Sequence, residues 1–362
     1  MSTVYATHED ARLLAAVPIG RESDRISARA RLLAAAERCD FPQPRREDMR
    51  LACAELTSNI IKHAGGRGEL QVWQQPGPVI DLFALDQGPG MAGTAEVLRD
   101  GYSSAGTLGK GLGSILRAGD EGDLYASREG TAGEGWRGSA VLVRFQRHAE
   151  PPERLGLYSR PVGQRRASGD RIFVRSDRHE LAWLHVDGLG NGAKAEAAVK
   201  PLRRALLADT RPERVLRAGE GLMPRGRGAV ALAGRLRRST GAVELAGIGD
   251  LNAHLLERDT GGRYTRRALG LASGVLGRQH PAPRCHALSP PSAAVLLSAS
   301  DGLRNDWRLE AHPGLYEHHP QLVAYLLGSR LARLADDQSL LVLPVGPGAS
   351  GERDSFEHSA HS

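Results

Sequence analysis

In the second half of the chain, carboxylates stand directly beside short apolar runs, a pattern that narrows the folds open to it. Leu181-Ala182-Trp183-Leu184-His185-Val186 empties into Asp187-Gly188-Leu189-Gly190-Asn191-Gly192, and Ala293-Ala294-Val295-Leu296-Leu297 leads to Ser300-Asp301-Gly302. Asp336-Asp337 leads into Ser339-Leu340-Leu341-Val342-Leu343, while Ser168-Gly169-Asp170 precedes Ile172-Phe173-Val174. Such runs, bounded by Gly and Asp, read as buried strands. Unpaired carboxylates at the ends of buried strands are costly unless cations compensate them, so one shared metal centre would account for all four; Asp-Gly turn chemistry is the plainer alternative. In the Asp187 motif, three glycines in six residues let a backbone carbonyl approach a ligand, and the leading carboxylate suits a hard metal better than a phosphate.

Further strands are expected at 229–236, 242–245, 253–256, 295–298 and 339–343. Helices fit Ala193 to Ala208, broken at Pro201, and Leu322 to Leu334. Asp250 reads as a turn residue, and His280, His286, His318 and His319 have no ligand spacing.

A chain of 362 residues, 41% hydrophobic, favours two domains over one. The three cysteines, Cys39, Cys53 and Cys285, have neither metal-type nor disulfide-type spacing, which fits a reducing compartment. No run approaches the roughly 18 apolar residues of a membrane span, so a cytoplasmic protein is expected. The net charge of +6 comes from arginines dispersed along the chain, without the aromatic interleaving of a nucleic-acid site. Nucleic acid is therefore not an expected partner; a basic face could still recruit an acidic or phosphorylated protein.

The first half opens with a short strand within residues 4–20. A helix from Asp24 to Cys39 is expected to bury Ile26, Ala30, Leu33 and Ala36, with Pro42 and Pro44 breaking it. A second helix is expected from Glu47-Asp48 to Ala64, stopped by Gly65-Gly66. Its buried stripe is Met49, Cys53, Leu56 and Ile60, while Glu55 and Asn59, four apart, share a polar face. Two strands, 70–73 and 79–85, follow, and the second empties into Asp86-Gln87-Gly88-Pro89-Gly90. Beyond Asp100-Gly101-Tyr102-Ser103-Ser104, Gly109-Lys110-Gly111-Leu112-Gly113 opens a short helix. The strand 138–145 closes the half.

In the order Glu55-Leu56-Thr57-Ser58-Asn59, Asp86-Gln87-Gly88-Pro89-Gly90 and Gly109-Lys110-Gly111-Leu112-Gly113, the chain resembles the GHKL family of ATP-binding proteins over residues 5–147. Within it, the likeness is to the RsbT-type switch kinases of stressosomes and the related anti-sigma factors. The resemblance implies that Asn59 holds the Mg²⁺ bridging the ATP phosphates and that Asp86 accepts a hydrogen bond from the adenine amine, in a loop shaped by Gly88 and Gly90. Gly109, Lys110, Gly111, Leu112 and Gly113 would wrap the phosphates with backbone N–H groups. Glu55 would be the general base and Ser139 a hydroxyl near adenine; Lys62 and His63 are read as structural.

The acidic motifs of the second half resemble the SpoIIE-type, RsbX-like branch of the metal-dependent PPM serine/threonine phosphatases, over residues 155–345. That implies two Mn²⁺ or Mg²⁺ ions, with Asp187 bridging them, the Gly188 carbonyl ligating one, and Asp170, Asp301 and Asp336 completing the acidic shell. Asn191 and Ser339 depart from the commoner His and Thr. Asp337 is a weaker candidate than Asp336, since one of an adjacent pair on a strand usually faces away.

Together these readings give an α+β chain of two domains: a GHKL (Bergerat) α/β sandwich (1–147) and a PPM-type β-sandwich flanked by helices (157–345). A linker (148–156) joins them and a disordered tail (346–362) follows. The implied function is a partner-switching regulator that phosphorylates a Ser/Thr of a STAS-domain protein with ATP and dephosphorylates the same or a related protein. The implied partners are STAS-domain anti-anti-sigma or stressosome scaffold proteins, with a sigma factor or other downstream regulator as a further partner class. The alternative is an ATP-binding module that sequesters a sigma factor or regulator without kinase turnover, fused to a phosphatase.

Overall fold

The computed structural model describes residues 3–6, 11–91, 112–128, 136–147, 153–163, 167–306, 308–333 and 335–349. In chain order they form β1 (Thr3–Ala6), β2 (Arg12–Ile19), α1 (Glu22–Arg38), α2 (Gln43–Ala64), β3 (Gly68–Gln75), β4 (Val79–Asp86), α3 (Leu112–Ala118), β5 (Glu121–Ser127) and β6 (Gly138–Gln146). The second half contributes β7 (Gly156–Arg160), β8 (Asp170–Ser176), β9 (Glu180–Gly188), α4 (Ala193–Val199), α5 (Arg203–Ala208), α6 (Pro212–Glu220), β10 (Ala229–Arg237) and β11 (Val243–Ile248). It ends with β12 (Asn252–Arg258), β13 (Tyr264–Ala268), β14 (Arg284–Leu288), β15 (Ala294–Ala299), α7 (Pro320–Leu331) and β16 (Gln338–Val345). No described helix is long and apolar enough to cross a membrane.

The first antiparallel sheet has the order β2-β3-β4-β6-β5. Strand alternation sends Leu70, Val72, Ile80 and Leu82 to one face, where they pack on Leu32, Met49, Leu56 and Ile60 of α1 and α2. Helix α1 buries Ala28, Leu32, Ala35 and Ala36, and leaves Ile26 64% exposed. The expected Ile26-Ala30-Leu33 stripe is therefore wrong in phase, because a helix this rich in alanine satisfies helical spacing in more than one rotation. Helix α2 starts at Gln43 rather than Glu47: Pro42 is its N-cap and Pro44 sits in the first turn, where a missing N–H leaves no bond unmade. It ends, as expected, at a left-handed Gly65.

The second half is a sandwich of a six-stranded sheet, β1-β8-β9-β10-β11-β14, and a five-stranded one, β13-β12-β15-β16-β7. Ile172, Trp183, Leu232, Leu245, Leu255, Leu296 and Leu341 fill the space between them. Helices α4 to α6 cover the outer face of the larger sheet through Val199, Leu206 and Leu216. The break at Pro201 is a 3-10 turn, Lys200–Leu202. Residues 3–6 pair antiparallel with β8, from Thr3↔Ser176 to Ala6↔Phe173, so this opening strand belongs to the second half's sheet rather than to the 1–147 unit. The stretch expected as a tail begins as an ordered turn, with Gly346 N–H donating to the Gly241 carbonyl at 3.1 Å; residues 350–362 lie outside the described residues.

Helix α7 lies between the halves. Ten of its twelve residues are buried, because one side meets Trp73, Phe83 and Leu142 of the first sheet and the other meets Tyr158, Leu297 and Val342 of the sandwich. The same layer carries a buried polar network. Arg144 makes a bidentate pair with Asp81 (2.7 and 2.8 Å), and Tyr325 donates to Asp81 (2.8 Å) while accepting from Gln75 (2.5 Å). His318 Nδ1 lies 3.0 Å from Asp123, and His319 Nε2 lies 3.2 Å from Glu121. These two histidines, which have no ligand spacing in sequence, join α7 to β5.

Candidate functional site

In the first half, chemistry-bearing residues gather at the end of β4. Asp86, half-buried, accepts the Gly88 N–H at 2.8 Å and the Ser139 N–H at 3.1 Å, both on Oδ1. Its carbonyl accepts from Trp136 Nε1 at 3.1 Å. Burial raises the Asp86 pKa, and these donors oppose the rise. Gly90 stands at φ +70°, and a Cβ there would lie 2.1 Å from the Ser127 carbonyl oxygen, so only glycine lets the loop close on β5. Gly88 packs against Ala64, which ties the loop to the C-terminal end of α2. Glu55 and Asn59, both half-buried, lie one turn apart on that helix. Leu112 and Gly113 open α3, whereas Gly109, Lys110 and Gly111 lie outside the described residues, as does the segment Asp100 to Ser104. The donor types suit the expected ligand: a strand-end carboxylate can accept an exocyclic amine, and a carboxamide oxygen is a hard ligand for Mg²⁺.

In the second half, four segments converge at one end of the sandwich. Asp170 and Asp187 are directly opposite each other across β8 and β9. Asp301 follows β15 and Asp336 precedes β16, which are neighbours in the other sheet. The carboxyl of Asp187 lies close to those of Asp170 and Asp301. Burial, reinforced by repulsion from Asp170, Asp301 and Asp336, raises the Asp187 pKa. Burial also raises that of Asp170, with Asp337 and Asp301 adding to it. Asp301 is raised by burial, then by Asp336 and Asp250, with Arg333 opposing. Asp250, a turn residue in the sequence reading, is an exposed bend residue whose charge adds to the repulsion on Asp301.

Among the described residues, no group of three or more His, Cys, Asp and Glu side chains is arranged around one point as metal ligands would be. The carboxyls of Asp170 and Asp301 instead crowd against that of Asp187. Their identity still fits hard divalent ions: the donors are all oxygens, and like charges held this close need a proton or a cation between them.

Asp336 and Asp337, in the segment just before β16, have different partners. Asp337 is buried and accepts the Val162 N–H at 2.8 Å and the Gly169 N–H at 2.7 Å, strapping down the Ser168-Gly169-Asp170 segment. Asp336 Oδ1 accepts the N–H of Asp337 at 2.8 Å. Gly188 N–H donates to the Gly169 carbonyl at 3.1 Å, which fixes the loop after Asp187 to the same segment. Gly302 has no room for a side chain, since a Cβ would fall 1.7 Å from the Asp337 carbonyl oxygen.

One polar residue of the centre escaped the sequence reading. His185 lies fully buried between the sheets, 2.7 Å from Ser298 Oγ and 2.8 Å from Ser339 Oγ. Burial brings its pKa down to about 3, so the ring is neutral. The available signal was a single polar residue inside an apolar run, two positions before Asp187 and therefore on the same strand face.

No protein-family model matches the chain. Among solved structures, the chain is similar to RsbX in complex with magnesium (18% identity, 53% of this chain and 96% of that one, TM-score 0.43). It is also similar to the PP2C phosphatase domain and regulatory-domain fragment of SpoIIE from Bacillus subtilis (14% identity, 90% of this chain and 96% of that one, TM-score 0.44). Both TM-scores are below 0.5, and the chemistry of the second half is read from its own residues. In sequence, 128 residues are 33% identical to the serine/threonine-protein kinase RsbT of Bacillus subtilis, covering 34% of this chain and 92% of that protein. Over its N-terminal third the chain belongs to the family of RsbT.

Proposed function

We propose that this chain both adds and removes phosphate in a partner-switching system. The GHKL-type first half transfers phosphate from ATP to a Ser or Thr of a STAS-domain protein, a stressosome scaffold or anti-anti-sigma factor. The PPM-type, SpoIIE-like second half hydrolyses phosphoserine or phosphothreonine on that protein or a companion. The observation that carries the reading is the convergence of Asp170, Asp187, Asp301 and Asp336, from four separate segments, within a chain whose first third is of the RsbT family.

In the first half, Asp86 would hold the adenine and Asn59 the Mg²⁺ of MgATP, whose γ-phosphate supplies the transferred group. Glu55, one turn from Asn59, takes the proton from the attacking hydroxyl. In the second half, Asp187, with Asp170, Asp301, Asp336 and the Gly188 carbonyl, would hold two Mn²⁺ or Mg²⁺ ions. Bound there, they would supply Lewis-acid activation of water and neutralise charge on the phosphate. Asp337 keeps the Asp170 segment in place through its two backbone hydrogen bonds, and Gly302 lets the Asp301 loop close on it.

The test is to incubate the protein with a STAS-domain partner, first with ATP and Mg²⁺, then with Mn²⁺, and to follow the partner's phosphosites by mass spectrometry. Asn59→Ala should abolish phosphorylation alone, and Asp187→Ala dephosphorylation alone. A partner that is never phosphorylated, or phosphate loss that survives Asp187→Ala, would refute the corresponding half.

A further inference from the structure

A chain of buried hydrogen bonds runs from the interior of the sandwich to the acidic cluster. Ser298 on β15, His185 on β9 and Ser339 on β16 are each fully buried. The imidazole bridges the two sheets, with Nδ1 2.7 Å from Ser298 and Nε2 2.8 Å from Ser339. Ser339 Oγ in turn donates to Asp170 Oδ2 at 2.7 Å.

The proton count gives this chain a direction. A serine hydroxyl has one proton, and Ser339 spends it on Asp170. Ser339 must therefore accept from His185, which places the ring proton on Nε2 and leaves Nδ1 to accept the Ser298 O–H. Each hydroxyl and ring N–H in the series then has an acceptor, and Ser339 Oγ both accepts and donates. The cross-strand neighbours of His185 are the apolar Ile172 and Leu232, and burying an imidazole beside them is tolerable only because both its nitrogens are satisfied. A second contact comes from Ser300, which hydrogen-bonds Asp170 and accepts the Ser339 N–H at 3.0 Å.

We infer that Ser298, His185 and Ser339 are positioning residues for the metal centre: their relay fixes the rotation of the Asp170 carboxylate opposite Asp187 and so prepares it for divalent cation. The inference rests on the two-metal reading of the second half. Partners behind metal-binding carboxylates and imidazoles commonly govern affinity by about 10–100-fold, through orientation rather than contact.

The experiment titrates Mn²⁺ into the full-length protein by calorimetry, with circular dichroism in EDTA confirming that each variant is folded. Ser339→Ala should weaken Mn²⁺ binding by about tenfold, and Ser339→Thr, which keeps the hydroxyl, should restore it. Ser298→Ala, which leaves the Ser339 contact to Asp170 in place, should weaken binding as well. The double variant should be little worse than Ser339→Ala alone, since the relay is already cut. Wild-type affinity in both folded alanine variants would overturn the inference while leaving the two-metal reading intact. A wild-type protein that binds no Mn²⁺ would overturn both.

Discussion

Tyr325→Phe tests whether the two halves stabilise one another through α7. The substitution keeps the ring, which stacks on Trp73 with centroids 4.8 Å apart, and removes only the hydroxyl. That hydroxyl donates to Asp81 at 2.8 Å and accepts from Gln75 at 2.5 Å, with all three side chains buried. The bond to a carboxylate contributes about 2 kcal/mol and the stranded Gln75 donor costs about 1 kcal/mol, so a loss of about 3 kcal/mol is expected. Asp81 keeps its bidentate Arg144, so the charge itself remains paired. Urea unfolding followed by far-UV circular dichroism and by tryptophan fluorescence should show a lower midpoint, and separation of two transitions that coincide in the wild type. An unchanged midpoint would show that the network adds nothing to stability. A lower midpoint with coincident transitions would refute the idea that α7 holds the halves together.

Three further outcomes are expected. Asp170 and Asp187 have pKa values raised above the ordinary 3.8, so between that value and their folded values the native state binds more protons than the unfolded chain, and their contribution makes stability fall as pH rises. In EDTA, thermal stability should decline from about pH 5 to pH 8 more steeply in the wild type than in Asp187→Asn, and equal slopes would contradict the charge clustering. Gly302→Ala should lower thermal stability and abolish Mn²⁺-dependent hydrolysis of p-nitrophenyl phosphate, because its Cβ would overlap the Asp337 carbonyl oxygen; a variant with normal activity would exclude that crowding. Asp86→Asn should weaken binding of a fluorescent ATP analogue by about tenfold or more, through loss of a charged acceptor, and an unchanged Kd would remove Asp86 from adenine recognition.

Much of the local structure was readable from residue spacing. The strands at 229–236 and 295–298, the break at Pro201 and the Gly65 stop all appear where periodicity and backbone chemistry placed them. The failures were also local: the rotation of α1 was ambiguous among its alanines, and α2 was expected to start at Glu47 although Pro42 and Pro44 belong to its start at Gln43. Asp337 shows the limit of pattern reading. The sequence ranked it below Asp336 as a candidate, but its two backbone donors come from Val162 and Gly169, far away in sequence, and hold it beside Asp170.

By itself the sequence determined which residue types stand at strand ends and helix faces, the order of the motifs and the RsbT kinship of the first third. Those properties depend on neighbours a few positions apart, where hydrophobic period and turn chemistry act. Only the tertiary structure decided that β1 pairs with β8, that α7 is buried on both sides, that His318 and His319 meet β5, and that His185 joins Asp170 through Ser339. Each of these links residues with no periodic relation in the chain. Burial made the difference: where solvent is excluded a polar group must find a partner, and which partner lies within reach is set by how the sheets pack.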